Sequence, residues 1–334
     1  MNIECVTSGQ CTAPFPLYPT LVERLLSAHD RPGAGVDPIV AHVQAICAGY
    51  AYADATTLAM MMQRVGVESN TCVRISQTVD AMMIFATAFV VQSQCGRVVT
   101  VAFRGTEPAN LGHWLADADV GGESSTIANE AASGGLRVHA GFHRNLRAVW
   151  LGVVQNVAVA LAGRSVADPA SPVSQPMQAL YVTGHSLGGA MAQLFALSMI
   201  GRTSTAAIAQ RLRAVYTFGQ PMAVCSPVPS WAEPLCDRMF THAIASDLVP
   251  ALPPSPWGPF THLGHAYRYD GGAWHRAESH VKPLASLREV PKAMVALFAQ
   301  ERSRASYRYS LAEHQPQHYI NALRPAGMIS EFGI

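Results

Sequence analysis

The chain has 334 residues, 49% of them hydrophobic and only 13% charged, so it can bury a large core and is too apolar for a disordered or coiled-coil protein. Its 23 basic and 22 acidic residues are interspersed and give a formal net charge of +1, which leaves no basic stripe to neutralise phosphates. We therefore expect a globular protein of enzyme size, and nucleic acid is excluded as an expected partner.

The amino-terminal region predicts an extension rather than a targeting signal. Its opening, MNIECVTSGQCTAPFPLYPT, has neither the basic start nor the apolar segment of a secretory signal, which favours a cytoplasmic protein or one exported by a non-classical route. The chain shows no internal repeat and no long linker of low complexity. We therefore expect one main domain at residues 41–334, preceded by an irregular extension at residues 1–40.

Apolar periodicity predicts the first helix and the first two strands. Residues 46–65 repeat apolar positions at helical spacing, which predicts one helix packed on the body. Residues 81–91 and 97–104 are apolar, β-rich runs joined by QSQCG, in which Gly96 suits a hairpin turn. The first run spans about half of the roughly 20 residues that a membrane helix needs, so we expect a buried strand there.

Three later segments, at residues 179–183, 214–218 and 239–244, also have strand character. Each is followed by Gly, Pro or Asp, and the intervals between them are long enough for crossover helices. This alternation predicts an α/β fold with a mostly parallel central sheet and helices on both faces.

The stretch ALYVTGHSLGGAMAQLFAL carries the strongest chemical signal. An apolar strand runs into the G-x-S-x-G sequence around Ser186 and then into an apolar helix, which is the context of a nucleophile elbow. Side chains at Gly184 or Gly188 would collide with neighbouring backbone in such a sharp turn. The amino end of the following helix would stabilise a negative charge beside Ser186, which is therefore the predicted nucleophile.

A serine nucleophile needs a carboxylate and a histidine, expected downstream in the order Ser, Asp, His. The sequence ASDLVPALPP places Asp247 just after the strand at 239–244, at the sheet edge where open α/β sheets keep their sites. Asp237 precedes that strand and Asp270 lies in a YDGG turn, so both are expected to be surface or turn residues. Asp247 is the predicted acid.

The stretch EHQPQHYINAL offers two candidate bases, His314 and His318. Proline is favoured at the first helical position, so a helix is expected to begin at Pro316 and leave His314 in the preceding loop. The apolar residues of that helix, Tyr319 among them, share one face, whereas His318 projects from the other face toward solvent. His314 is the predicted base, and His318 is the alternative if local insertions shift the site.

Several sequence blocks resemble, in order, those of the class 3 (fungal-type) lipases of the α/β-hydrolase superfamily. They are VTVAFRGTE, HWLADAD, RVHAGFHRNL, VTGHSLGGA, YTFGQP, DLVPALPP, HLGHAYRY and EHQPQHYINAL, and they extend over residues 46–323. Met222 stands where that family usually has Arg, and Glu313 stands where it usually has Asp. The resemblance implies an α/β-hydrolase fold with a short lid.

The resemblance also implies catalytic roles for particular residues. Ser186 would attack an ester carbonyl, His314 would accept its proton and pass it to the leaving alcohol, and Asp247 would orient the imidazole. An oxyanion would be held by the backbone amide of Leu187 and by the amide and hydroxyl of Thr106. No cofactor is implied, and the expected partner is a lipid or other ester substrate, with transient contact at a lipid interface.

The segment EPANLGHWLADADVGG predicts a short amphipathic element, in which Leu111, Trp114 and Leu115 fall at helical spacing. We interpret it as a lid whose apolar face covers the site in water and turns toward lipid at an interface. The alternative is a surface helix with its apolar face permanently packed.

The remaining histidines and the cysteines do not predict a metal centre. His262, His265, His275 and His280 are close in sequence but no cysteine or paired carboxylate joins them, and HQPQH lacks the glutamate of the H-E-x-x-H motif. His139 is expected to pack beneath the site.

The seven cysteines form an odd set without C-x-x-C spacing, so reduced thiols are expected. Cys225 and Cys236 flank a proline-rich loop and are a candidate pair in an oxidising setting.

These features predict a serine ester hydrolase that acts on acylglycerols or related lipid esters. A phospholipase or an acyltransferase would use the same serine, because the acyl-enzyme is common to all three activities. A catalytically inactive lipid-binding relative is the non-enzymatic alternative.

Overall fold

The computed structural model of the protein describes residues 1–8, 16–31, 33–105, 124–130, 134–285 and 312–332. The strands among them are β1 (Asn2–Thr7), β2 (Thr71–Val79), β3 (Ile84–Gln92), β4 (Val98–Phe103), β5 (Ser124–Ile127), β6 (Leu136–His139), β7 (Ala179–His185), β8 (Leu212–Phe218), β9 (Val224–Cys225), β10 (Met239–Ile244), β11 (Phe260–Thr261), β12 (His265–Asp270) and β13 (Ala273–Arg276). The α-helices among them are α1 (Leu21–Ser27), α2 (Pro38–Tyr50), α3 (Ala55–Arg64), α4 (Ala140–Leu161), α5 (Leu187–Ile200), α6 (Ala206–Ala209), α7 (Glu233–Cys236) and α8 (Pro316–Leu323).

The larger sheet has nine strands in the order β1-β2-β3-β4-β7-β8-β10-β12-β13. Its five central neighbours β4, β7, β8, β10 and β12 pair in parallel, whereas both edges are antiparallel. The prediction of a mostly parallel sheet therefore holds for the centre of the sheet and not for its edges. The carboxyl ends of β4, β7, β8 and β10 meet at one edge, where the predicted catalytic residues lie.

Hydrophobic side chains cover both faces of this sheet, as the apolar strands predicted. Along β4, Val99, Val101 and Phe103 pack toward α4 and α5, while Val98 and Ala102 pack on the opposite face beneath α1, α2, α3 and α8. Each fully buried aliphatic or aromatic side chain contributes about 1.5–3 kcal/mol of transfer free energy. Two packed layers therefore hold the central strands rigid and fix the positions of the loops at their ends.

The prediction of one helix at residues 46–65 is wrong, because two helices occupy this region. Helix α2 ends at Tyr50 and α3 begins at Ala55, after a turn. Asp54 accepts a hydrogen bond of 2.7 Å from the backbone amide of Thr57 and so caps the second helix. The apolar period continues across the turn, so periodicity alone did not detect the break.

The prediction of an irregular amino-terminal extension is also wrong for the parts that the structure describes. Strand β1 pairs antiparallel with β2 and forms an edge of the large sheet. Helix α1 buries Leu21 and Leu25 in the core. Helix α2 begins at Pro38 and so crosses residue 40, and the division of the chain at that residue stays a prediction.

Candidate active site

Ser186 lies at the junction of β7 and α5 in a strained backbone conformation. Its φ of 58° and ψ of −131° are unusual for a residue with a side chain, and such strain costs of the order of 1–3 kcal/mol. The backbone amide of Ser186 donates a 2.9 Å hydrogen bond to the carbonyl of Phe218 on the neighbouring strand. The structure confirms the strand–turn–helix context of the elbow.

The glycines on either side of Ser186 are there for steric reasons. A Cβ atom on Gly184 would overlap the carbonyl group of Gly188, the second residue of α5. A Cβ atom on Gly188 would overlap the backbone carbonyl of Phe103 at the end of β4. The sharp turn and the close approach of α5 to the sheet therefore both require these positions to lack a side chain.

The predicted oxyanion residues are only partly within the described chain. Leu187 is the first residue of α5, so its amide has no acceptor within the helix. The contact between Gly188 and Phe103 places the end of β4 against the start of α5, next to Ser186. Thr106 lies outside the described residues, and its role and that of the Leu187 amide stay predictions.

The predicted lid residues Leu111, Trp114 and Leu115 lie outside the described residues as well. Nothing in the described chain tests the lid interpretation.

Asp247 and His314, the predicted acid and base, lie in buried contact with each other. The Nδ1 atom of His314 lies 2.8 Å from Oδ2 of Asp247, and the side chains are 8% and 0% exposed. The other carboxylate oxygen, Oδ1, accepts a 2.8 Å hydrogen bond from the amide of Val249. A carboxylate held at both oxygens favours the tautomer in which Nδ1 of His314 donates its proton, which leaves Nε2 as a base.

The hydroxyl of Tyr319 is a third group on this carboxylate, and the sequence reasoning missed its role. It donates a 2.6 Å hydrogen bond to Oδ2 of Asp247 and accepts one of 3.2 Å from the amide of Ile244. Burial and the adjacent Asp247 raise the pKa of Tyr319 well above its ordinary value, so the hydroxyl keeps its proton. The tyrosine at the end of the EHQPQHYINAL block was the available signal, but it was interpreted only as an apolar residue.

The turn that carries Ser186 and the pair formed by Asp247 and His314 meet at Gly219. This residue follows Phe218, the hydrogen-bond acceptor of Ser186, and it has a φ of +56°. A Cβ atom at Gly219 would lie 2.8 Å from Oδ2 of Asp247 and 2.9 Å from the His314 ring. Backbone next to the serine thus touches the acid–base pair directly.

The atoms predicted to react, Oγ of Ser186 and Nε2 of His314, are buried. Within the described part of the chain, neither Oγ of Ser186 nor Nε2 of His314 has a hydrogen-bond partner. Ser186 is 1% exposed and His314 is 6% exposed. A serine hydroxyl and an imidazole nitrogen without other partners can exchange a proton, and such pairs often tighten only when substrate binds.

His185 and Tyr52 form a layer beneath His314 that the sequence reasoning also missed. The rings of His185 and His314 lie 4.5 Å apart between centroids, and Nδ1 of His185 is 2.9 Å from the Tyr52 hydroxyl. Burial, followed by the nearby His314, lowers the pKa of His185 well below its ordinary value. The His185 ring is therefore neutral, and it supports the base without adding a fixed positive charge.

The alternative base, His318, lies away from the site. Its side chain is 45% exposed and its Nδ1 atom is 3.7 Å from a carboxylate oxygen of Glu313. Helix α8 begins at Pro316, as predicted, and its apolar residues, including Tyr319, are buried. The structure therefore brings His314, and not His318, to Asp247.

The rival carboxylates are surface groups, as expected. The Asp237 side chain is 55% exposed and lies 4.0 Å from a ring nitrogen of His265, and Asp270 is exposed at the end of β12. Neither contacts His314 in the structure.

The other histidines are held by ordinary structural contacts. His139 is fully buried, stacks on Phe142 and caps α4, and burial lowers its pKa to about 4. His262 and His280 lie within hydrogen-bond distance of the backbone carbonyls of Pro250 and Gly264, at 2.8 and 2.9 Å. Across the described ranges, no group of three or more metal-binding side chains is positioned to hold an ion.

The described cysteines are free thiols, including the candidate pair Cys225 and Cys236. No helix within the described residues is long and apolar enough to cross a membrane.

Comparison with known proteins agrees with this geometry. The sequence model of the class 3 lipases matches residues 100–257, which include Ser186 and Asp247. Over these residues the chain is similar to the class 3 lipases. A lipase of Rhizomucor miehei is 29% identical over 198 residues, which are 58% of this chain and 48% of that protein. Triacylglycerol lipase OBL1 of Arabidopsis thaliana is 43% identical over 77 residues, which are 22% of this chain and 14% of that protein.

The chain therefore spans about half or less of the length of these two curated relatives. Among solved structures, the Rhizomucor miehei lipase propeptide complex has a TM-score of 0.55 at 20% identity, covering 85% of this chain and 81% of its own. Lipase II from Rhizopus niveus has a TM-score of 0.54 at 21% identity, covering 75% of this chain and 88% of its own. Both similarities identify the fold of this chain as that of the α/β-hydrolases.

Proposed function

We propose that this protein hydrolyses carboxylic ester bonds of lipids through an acyl-enzyme on Ser186. The observation that carries the proposal is the buried hydrogen bond between His314 and Asp247, beside a strained serine whose hydroxyl has no other partner among the described residues. The match of residues 100–257 to the class 3 lipases, and the triacylglycerol lipase among the relatives, support a lipid ester as the substrate.

The first step joins the serine to the acyl group. The proton of Oγ passes to Nε2 of His314 as the oxygen attacks the carbonyl carbon, and Asp247 stabilises the imidazolium that forms. The oxyanion is held by the Leu187 amide and by Thr106. Collapse of this intermediate breaks the ester bond, and Nε2 returns the proton to the departing alcohol.

The second step frees the acyl group. Water gives a proton to Nε2 of His314 and attacks the acyl-enzyme. Nε2 then returns that proton to Oγ of Ser186 as the bond between Oγ and the acyl carbon breaks and the carboxylic acid leaves. An alcohol in place of water would make the same enzyme an acyltransferase, and a phospholipid ester would make it a phospholipase. The proposed steps use only side chains, backbone amides and water.

Two measurements test the proposal. A fluorophosphonate probe should label the wild-type protein on Ser186, as identified by peptide mass spectrometry, and should not label Ser186→Ala. Ser186→Ala should lower the hydrolysis of a soluble p-nitrophenyl ester by at least about a thousandfold, because no nucleophile remains. The variant should stay folded, since alanine is smaller than serine.

Retention of more than a tenth of the wild-type rate by folded Ser186→Ala would contradict the proposal. A parallel screen of triacylglycerols, phospholipids and p-nitrophenyl esters, with products separated by chromatography, would assign the preferred head group. Transfer of the acyl chain to an added alcohol faster than to water would favour the acyltransferase.

A further inference from the structure

Two buried glutamine side chains form a hydrogen-bonded pair between helix α5 and the loop after β8. Nε2 of Gln220 donates a 3.0 Å hydrogen bond to Oε1 of Gln193, and both residues are fully buried. Nε2 of Gln193 in turn lies 3.9 Å from Sδ of Met239. We refer to Gln193 and Gln220 together as the amide pair.

The amide pair is a costly way to fill its space. From Leu187 to Met199 every residue of α5 is buried, and most of them are apolar. Burying a polar group costs free energy that its hydrogen bonds only partly offset, and Oε1 of Gln220 has no partner among the described residues. Two apolar side chains of the same size would fill the space without that cost. The hydrogen bond therefore calls for a reason other than stability.

The place of the amide pair in the fold supplies that reason. Gln193 lies on α5, the helix of the predicted nucleophile elbow. Gln220 directly follows Gly219, where a Cβ atom would lie within 2.9 Å of both Asp247 and His314. The amide pair thus joins the helix that begins beside the serine to the backbone that touches the predicted acid and base.

The loop that carries Gln220 is also held by its own backbone. The amide of Gly219 donates a 2.9 Å hydrogen bond to the carbonyl of His242 on β10. The amide of Met222 donates one of 2.7 Å to the carbonyl of Leu252. These two bonds hold the loop against β10 and the segment after it, which carries the predicted acid. The amide pair holds the same loop against α5, so that contacts with both elements set the position of Gly219.

We propose that Gln193 and Gln220 are positioning residues, whose hydrogen bond sets the distance between Ser186 and the imidazole of His314. This inference rests on the proposed function, because the distance matters only if the serine passes its proton to that imidazole. A hydrogen bond constrains both the distance and the direction between two elements, whereas apolar contact is not directional. A misplacement of about 1 Å in an active site can lower turnover by about a hundredfold.

Methionine substitutions test the hydrogen bond separately from the packing, because methionine has nearly the shape of glutamine and no amide. Gln193→Met and Gln220→Met each leave one amide unpaired, so each should lower the melting temperature and the turnover. The double variant Gln193→Met/Gln220→Met should recover most of the melting temperature, because removal of both partners is nearly neutral for stability. Its turnover of a soluble p-nitrophenyl ester should still be about tenfold below wild type, with KM within about twofold.

The labelling rate of Ser186 by a fluorophosphonate is a second readout. This reaction needs the same proton transfer from the serine but no particular ester, so it does not depend on how a substrate is bound. The rate constant for labelling should fall by about tenfold in the double methionine variant, in parallel with turnover.

Gln92→Met is the matched control. Gln92 is fully buried, donates a 2.9 Å hydrogen bond to the carbonyl of Arg164 and accepts one of 3.0 Å from the amide of Val166. It pairs with Val99 near the start of β4, at the end of the sheet away from Ser186. This variant should lose melting temperature, as the single methionine variants do, but its turnover and labelling rate should stay within about twofold of wild type.

Gln220→Asn provides a comparison that does not depend on the folding of the double variant. It keeps an amide but shortens the side chain by one methylene group, so the 3.0 Å hydrogen bond to Gln193 cannot form without moving the loop. Turnover should fall by about threefold or more, with little change in KM. Wild-type turnover in folded Gln220→Asn would contradict the inference.

Wild-type turnover and labelling in the double methionine variant would overturn the inference, since the amide pair would then serve only packing. An equal loss of turnover in Gln92→Met would overturn it as well, because lost stability alone would explain the effect. Absence of both hydrolysis and labelling in the wild type would contradict the proposed function and the inference with it. Activity in the wild type without any loss in the double variant would contradict the inference alone.

Discussion

The predicted nucleophile elbow and the predicted acid–base pair lie at the same edge of the sheet but are held by different forces. Around Ser186, backbone atoms pack so closely that Gly184 and Gly188 admit no side chain. Around Asp247, hydrogen bonds from His314, Tyr319 and the chain itself define the geometry. The half around Ser186 is fixed by steric exclusion, and we call it the steric half. The half around Asp247 is fixed by polar contacts, and we call it the polar half. Substitutions in the two halves should therefore affect stability and turnover differently.

The largest effect on the polar half should come from removing the base. His314→Ala should lower turnover of a soluble ester by at least about a thousandfold, whereas His318→Ala should cost less than about threefold. The reason is that only His314 contacts Asp247, while His318 is exposed beside Glu313. Steady-state kinetics on one p-nitrophenyl ester would measure both losses, with both variants shown to be folded. A larger loss of turnover in His318→Ala than in His314→Ala would identify His318 as the base.

A smaller loss should follow Asp247→Asn. We expect about a hundredfold lower turnover, less than for Ser186→Ala, because an asparagine amide can hold His314 in the wrong tautomer but leaves the imidazole present as an occasional base. Stopped assays at saturating substrate would measure it. Unchanged activity in Asp247→Asn would mean that another carboxylate is the acid. Asp237→Asn serves as the control, because the Asp237 side chain is exposed.

Two glycine substitutions compare the halves directly. Gly188→Ala should reduce the free energy of unfolding by about 3 kcal/mol or more, because its Cβ would overlap the backbone of Phe103 and the strand cannot move aside. Gly219→Ala should instead lower turnover by about tenfold or more, since its Cβ meets the side chains of Asp247 and His314, which can shift. Urea unfolding and ester kinetics on both variants decide the matter. A larger loss in the free energy of unfolding for Gly219→Ala than for Gly188→Ala would refute the division into steric and polar halves.

The smallest predicted effect concerns Tyr319. Removing its hydroxyl in Tyr319→Phe leaves the ring packed but deletes one of the hydrogen bonds to Asp247. A hydrogen bond to a charged group contributes about 1.5–3 kcal/mol, so turnover should fall by at least about tenfold with little change in KM. A matching removal at the half-buried Tyr50, whose hydroxyl donates to Glu331, should leave turnover unaltered. If Tyr319→Phe had wild-type turnover, the tyrosine would be only a packing residue.

The sequence by itself predicted the sterically fixed half of the candidate site and the order of the proposed catalytic groups. A nucleophile elbow is encoded within five consecutive residues, and its glycines are required by local geometry, so Ser186 was identifiable from Gly184 to Gly188. Pro316 likewise marked the start of α8 and separated His314 from His318, as the structure confirms. The central strands followed from their apolar runs.

Only the tertiary structure decided the polar half and the edges of the fold. The contact of Tyr319 with Asp247 joins positions 72 residues apart, and that of Tyr52 with His185 joins positions 133 residues apart, so no local pattern specifies them. The break between α2 and α3 and the pairing of β1 with β2 were likewise missed. Periodicity reports which side of an element is buried, whereas hydrogen-bond partners and edge pairings depend on which elements the packed core brings together.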